Sequence, residues 1–255
     1  MIQVVYDGTY EGWLTAVFDI YQFKFNDVTF GTEDRPSTSL FTGTHTVITD
    51  QQKASRVLNG LKAKLTTEGL LRLYRTFLSE VDQSEEIMLQ FVLHVFDSKV
   101  NIEGDFGNSN VWNLRKAARI VKRESYRMKA FVRFKLTKDE LYYALIEPDC
   151  NVLPLIKSHF RSRYADQRWL IYDAKRKYGI YYDLETVSTV QLHFHDTKGT
   201  AADLTEICDE QEDFFQELWR RYFSSTNIEA RKNVKLHLQH MPRRYWKNLI
   251  EKNGQ

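Results

Sequence analysis

The apolar residues of this chain change their spacing twice, and that change limits the folds open to it. Up to about residue 126 they recur at helical intervals: Trp13, Ala16, Val17 and Ile20, then Ala54, Val57, Leu58, Leu61 and Leu65, then Met88, Phe91, Val92 and Val95. From Phe131 the period becomes two, as in Phe131-Val132-Arg133-Phe134-Lys135-Leu136. Beyond residue 200 it is helical again. An order of helices, then strands, then helices points to an α+β fold rather than to repeated βαβ winding.

The spacing predicts a short strand at 4–6 that ends in the Asp7-Gly8 turn, and a helix from Thr9. Residues 24–49 read as irregular, with one short strand. Helices follow from Asp50, at 68–79 and at 85–96, the last with Asp82 and Glu85 spaced as a capping box. Another helix is expected at 111–125. Strands are expected at 131–136, 141–146, 169–173, 179–182 and 187–195, with a helix at 152–164 on Leu155, Ile156, Phe160 and Tyr164. The short connections at 138–139 and 174–178 favour antiparallel pairing. Helices at 203–223 and 230–240 complete the chain. The expectation is therefore one α+β domain over 1–255. It comprises a mostly helical part (1–126), a central antiparallel sheet of about five strands (roughly 129–195, within 127–196) and a helical part (200–250).

Composition excludes several classes. Hydrophobic residues at 42% and charged residues at 27% rule out wholesale disorder, and 11 Gly with 4 Pro rule out collagen-like or low-complexity chains. Cys150 and Cys208 are too few for a disulfide framework and suit free thiols in a reducing compartment. The first residues lack the basic and apolar regions of a secretory leader, and no stretch is long and apolar enough to span a bilayer. A soluble cytoplasmic protein with no membrane partner is expected.

Net charge is only +2, so any electrostatic message lies in its pattern. Residues 112–135 hold nine basic residues against Glu124 alone, and 220–255 hold nine against Glu229 and Glu251. Residues 200–217 hold seven acids and no base. On a helix, Arg115, Arg119, Lys122 and Tyr126 share one face. Such blocks attract a phosphate backbone, and they equally pair with acidic blocks of the same fold. Trp219, Tyr222 and Phe223 beside Arg220 and Arg221, and Tyr245 and Trp246 after Arg243 and Arg244, suit either base stacking or a core with arginines reaching outward.

Signals for chemistry are sparse. His193 and His195 share a strand face and His237 and His240 lie one helical turn apart, so either pair offers two metal ligands or simply solvated rings. No third ligand is set by spacing, and no cofactor is expected. Asp7 and Glu11 flank a strand-to-helix turn, where a carboxylate serves as a general base or as a helix cap. Asp173 and Glu147 are placed at strand ends without further support. No phosphate-binding loop, dinucleotide fingerprint, nucleophile elbow or zinc-protease motif occurs.

Four segments in order resemble one family: Tyr6-Asp7-Gly8-Thr9 with Glu11-Gly12; Arg127-Met128-Lys129 with Phe131-Val132-Arg133-Phe134; Tyr143-Ala144-Leu145-Ile146-Glu147-Pro148-Asp149; and Met241-Pro242-Arg243-Arg244-Tyr245-Trp246-Lys247. This is a bacterial family of unknown function labelled as DNA-metabolism or DNA-repair proteins. The resemblance implies a radical-SAM protein as partner, and a uracil-DNA glycosylase domain fused to some members. It carries no catalytic residue over. Together with the charge pattern it points first to a DNA-repair accessory protein that binds nucleic acid through Arg115, Arg119, Lys122, Arg127 and Arg133, supported by Arg243, Arg244 and Trp246. An enzyme acting on a nucleobase or DNA lesion through Asp7 or Glu11 is one alternative. A protein–protein interaction module using the acidic 200–217 segment is the other.

Overall fold

A computed structural model describes residues 1–32, 43–191 and 234–252. It divides into two compact units, Met1–Lys122 and Arg123–Gln255. Both mix helices with a sheet, so the α+β class holds.

In the first unit the central strand β1 (Ile2–Tyr6) is paired in parallel on both sides, with β2 (Val28–Thr32) and β3 (Gly43–Thr46). The 24–49 region thus holds two strands where one short strand was expected. Both escape pattern reading because they are edge strands with no buried alternate face: β2 is half-buried throughout, and β3 is a polar Gly-Thr-His-Thr run. Helix α1 (Tyr10–Phe23) starts where Thr9 accepts a hydrogen bond from the Gly12 N–H. Helix α2 (Gln51–Lys64) starts at Asp50, whose carboxylate accepts from Gln52 and Lys53, and α3 (Thr67–Phe77) at Thr66.

Helix α4 (Ser84–Asp97) departs from the expected capping box. Its N-cap is Gln83 in a left-handed conformation, and Glu85 instead accepts a hydrogen bond from the Tyr6 hydroxyl. The apolar stripes of these helices meet in one core that includes Val4, Trp13, Leu61, Leu73, Met88 and Phe91. One buried polar tie crosses it. The Asp19 carboxylate of α1 accepts from Lys53 Nζ at 2.7 Å, and His45 Nε2 of β3 lies 3.0 Å away.

Helix α5 (Ser109–Phe131) is longer than the 111–125 expected and includes residues read as a strand from 131. Its buried positions continue through Val121, Ser125, Met128 and Val132 at helical steps. Only Lys135–Leu136 (β4) is strand.

The second unit holds the five-stranded sheet, in the order β4, β5 (Tyr142–Ile146), β6 (Trp169–Asp173), β7 (Tyr178–Tyr182), β8 (Val187–Val190). It is mixed, which corrects the antiparallel expectation. β5 and β6 run parallel, with Tyr142 opposite Trp169, and the other pairs are antiparallel. The reason is α6 (Leu153–Arg163). A crossover helix between two neighbouring strands returns the chain to the end from which it started, which enforces parallel pairing. β6 is buried along its whole length, as the middle strand of five must be. Trp169 packs on Tyr182 and Phe160, with Phe134 and Tyr164 beside them. The described chain ends in α7 (Val234–His240) and two 3-10 turns, Arg243–Asn248 and Ile250–Lys252. The expected strand beyond residue 191 and the helix at 203–223 lie outside the described residues. Among the described residues no helix is long and apolar enough to cross a membrane.

Gly12 has a specific steric role. A Cβ there would lie 2.1 Å from Asp7 Oδ1 and 2.9 Å from Thr49 Oγ1. Gly12→Ala should therefore break the turn between β1 and α1 and destabilise the protein by about 1–3 kcal/mol, read as a lowered urea midpoint with little change in far-UV circular dichroism.

Candidate nucleic-acid interface

The eight residues expected to contact nucleic acid separate into two groups. In the second unit, Glu124 is buried on α5 and draws three cation-bearing or polar groups to itself. Arg244 donates to its Oε2 at 2.8 Å, the Tyr245 hydroxyl donates to the same oxygen, and Arg127 lies 4.0 Å away. The Asp149 N–H donates to Oε1 at 3.1 Å, and the Asp149 carboxylate pairs with Arg244 at 2.9 Å. Arg127 also donates to the Gln239 carbonyl, at 3.1 Å. Arg133 grips the buried Glu251 with two nitrogens, at 2.7 and 3.3 Å. Three of the eight residues thus carry their charge into the fold. Arg243 is exposed and lies 5.8 Å from the Trp246 ring, which Lys252 approaches from 5.0 Å, while the Trp246 indole donates to the Met241 carbonyl. The 241–247 segment is therefore a structural clasp on the end of α5.

The other three residues lie in the first unit and come together. Arg115, Arg119 and Lys122 of α5, with Lys116, form one wall of an open hollow of about 520 Å³ whose other wall is Arg72 and Arg75 of α3. The Thr76 hydroxyl ties α3 to α5 by donating to the Leu114 carbonyl at 3.1 Å. The two walls differ electrostatically. On α3, Glu68 sits 3.6 Å from Arg72 and 3.2 Å from Arg75, and Glu103 sits 3.7 Å from Arg72. On α5, Arg115, Lys116 and Arg119 have no carboxylate within ion-pair distance among the described residues. Arg115 instead lies 4.1 Å from the exposed Phe106 ring. Trp112, 58% exposed, opens into the same hollow.

Sequence reading missed Trp112, Phe106 and Lys116. The signal was present for one of them: Trp112 precedes Arg115, Lys116 and Arg119 by three, four and seven residues and so shares their helix face. Arg72 and Arg75 were not legible, because their approach to α5 depends on tertiary packing.

The candidate acid–base pair is not a poised one. Asp7 Oδ1 accepts from the Thr9 N–H at 2.9 Å and its hydroxyl at 2.7 Å, and Oδ2 accepts from Thr49 at 2.7 Å. Partial burial pushes the Asp7 carboxyl up, but the bonds from Thr49 and Thr9 outweigh it and hold the group below its ordinary value. Glu11 is an exposed first-turn residue of α1, where a negative charge suits the helix dipole. Asp173 is buried and bound to Arg176 at 2.8 Å, which closes the β6–β7 hairpin, and Glu147 pairs with Lys247. His240 is exposed on α7; His193, His195 and the His237 side chain lie outside the described residues. Among the described residues no three His, Cys, Asp or Glu side chains gather as metal ligands do. Cys150 is buried and Cys208 lies outside the described residues.

The fold and this surface define an α+β protein with a cationic, aromatic-bearing hollow. The sequence profile of a family described as a domain of unknown function, DUF4130, matches residues 82–251, about two-thirds of the chain. The chain belongs to that family. The match takes in all of α5 and the 241–247 clasp. No curated protein matches the sequence. A solved structure of a pGpG-specific phosphodiesterase from Vibrio cholerae is similar over 89% of this chain and 99% of that one, at 9% identity and a TM-score of 0.33.

Two outcomes are expected from these contacts. Glu124→Ala should cost about 3 kcal/mol of stability, because it leaves Arg244 and the Tyr245 hydroxyl without their shared acceptor; chemical denaturation measures it. The second concerns acid. Burial raises the Glu103 carboxyl, but bonds from the Thr66 N–H and hydroxyl and from Asn101, with the nearby Arg72 charge, outweigh it and hold the group below its ordinary 4.5, as Asp7 is held below 3.8. Folded forms that bind a proton less tightly than the unfolded chain gain stability at high pH. That gain is complete above the ordinary values and disappears as pH falls through the lowered ones. Urea midpoints measured downward from about pH 5 should fall, and Glu103→Gln should flatten the fall.

Proposed function

We propose that the protein binds nucleic acid through the α3–α5 hollow of its first unit, as an accessory of DNA metabolism. The observation that carries this reading is the unneutralised α5 wall. Arg115, Lys116 and Arg119 project from one rigid helix into an open hollow, with no carboxylate of the described chain answering them. Steps of four from Arg115 and three from Lys116 bring both onto the face that Arg119 shares, so the charges line one side of the helix, as a phosphate backbone requires. The role is narrower than the charge pattern suggested, since Arg127, Arg133 and Arg244 act on the fold. A DNA-repair setting and a radical-SAM partner, implied by the family resemblance, belong to the same proposal. The enzymatic alternative has less support, because both Asp7 oxygens are engaged by Thr9 and Thr49. The acidic 200–217 segment of the interaction alternative lies outside the described residues.

The test is fluorescence anisotropy of labelled DNA across a salt series, with the full chain and an Arg115→Glu/Arg119→Glu variant. Wild type should bind with an affinity that falls steeply with salt. Losing two phosphate contacts should flatten the log–log slope by about 1.5. Absence of binding at low salt, or an unchanged slope in the variant, overturns the reading.

A further inference from the structure

We propose that the hollow takes single-stranded nucleic acid, with an unpaired base stacked on Trp112 and the flanking phosphates on Arg115, Lys116 and Arg119. This rests on the nucleic-acid reading above and adds the substrate class and a residue that recognises it.

The argument starts from the position of Trp112. Its neighbours Val111 and Leu114 are each 1% exposed and fix that side of α5 to the core, so Trp112 faces outward. A tryptophan left 58% exposed inside a hollow lined mainly by cations, with Glu68 and Ala118 beside them, covers no core and completes no aromatic cluster of the described fold. Phe106, 55% exposed, holds the Arg115 guanidinium by a cation–π contact at 4.1 Å. Trp112 stands three and four residues before Arg115 and Lys116 on α5, so it shares their face and lines the same hollow. A flat apolar face therefore borders a row of positive charge, within about two turns of the same helix.

That pairing fits a particular ligand. A duplex presents phosphates outward and keeps its base faces stacked inside, so it would satisfy the cations and leave Trp112 wet. A single strand offers both groups at once, and every base has a face that stacks. At about 520 Å³ the hollow is of the size that holds one small-molecule-like unit such as a nucleotide. The asymmetry of its walls sets the orientation. Glu68 and Glu103 already balance Arg72 and Arg75, so the phosphates are drawn to α5 and the base to the indole on the same helix.

The experiment compares three probes of equal length on the full chain: oligothymidine, the same strand carrying abasic residues at its centre, and a duplex. Wild type should bind oligothymidine most tightly. Trp112→Ala should weaken oligothymidine binding by between about fivefold and a hundredfold and leave the abasic strand unchanged. Trp112→Phe should restore most of the loss, which a merely folded but unstacked surface would not do. Oligothymidine and duplex bound alike, or Trp112→Ala binding oligothymidine as wild type does, overturns stacking; if Arg115→Glu/Arg119→Glu still weakens binding, the parent reading survives. No binding of any probe at low salt overturns both.

Discussion

A single buried carboxylate decides what the basic half of this chain is for. Glu124 is the one acid among the cations of 112–135, and it is inside. Taking a carboxylate out of water costs several kcal/mol unless charge and hydrogen bonds replace its hydration. Here the replacement comes from Arg244, Tyr245 and the Asp149 backbone, which draws the 3-10 turn at Arg243–Asn248 and the loop after β5 onto the end of α5. Arg133, just beyond the end of α5, and the buried Glu251 repeat the device. In the second unit Arg127, Arg133 and Arg244 thus serve to hold the fold together.

In the first unit the same helix meets no such acid. Its apolar positions, Val111, Leu114 and Val121, are buried, and its charged positions face an open hollow. Sequence composition treats Arg115 and Arg127 as equivalent, since both stand in one basic run. They differ because a carboxylate lies three residues before Arg127, whereas the acids near the hollow, Glu68 and Glu103, sit against Arg72 and Arg75. The distinction between a cation that faces the hollow and one that braces inward lies in its partner, which for Arg127 is local and for Arg133 and Arg244 is more than a hundred residues away.

Several elements were nevertheless readable. Thr9, Asp50 and Thr66 cap helices where side-chain oxygen precedes an apolar stripe. The strands at 142–146, 169–173 and 178–182 follow the change to period two. The mixed pairing was also within reach: a helix of eleven residues between β5 and β6 is a crossover, and a crossover implies parallel neighbours. The strand read at 131–136 shrinks to Lys135–Leu136: Arg133 and Lys135 alternate with apolar residues, but Met128 and Val132 continue the helical seam, and burial of that seam prevailed.

By itself the sequence determined most of the helices, the sheet-forming region after residue 131 and the position of the basic run, because each rests on spacings of two to four residues and on local backbone chemistry. Only the tertiary structure decided which arginines are neutralised, that α3 supplies the second wall of the hollow, and that Trp112 stands exposed within it. Those outcomes depend on pairs such as Glu124 and Arg244, 120 residues apart, whose meeting is set by the packing of whole elements and leaves no mark in local spacing.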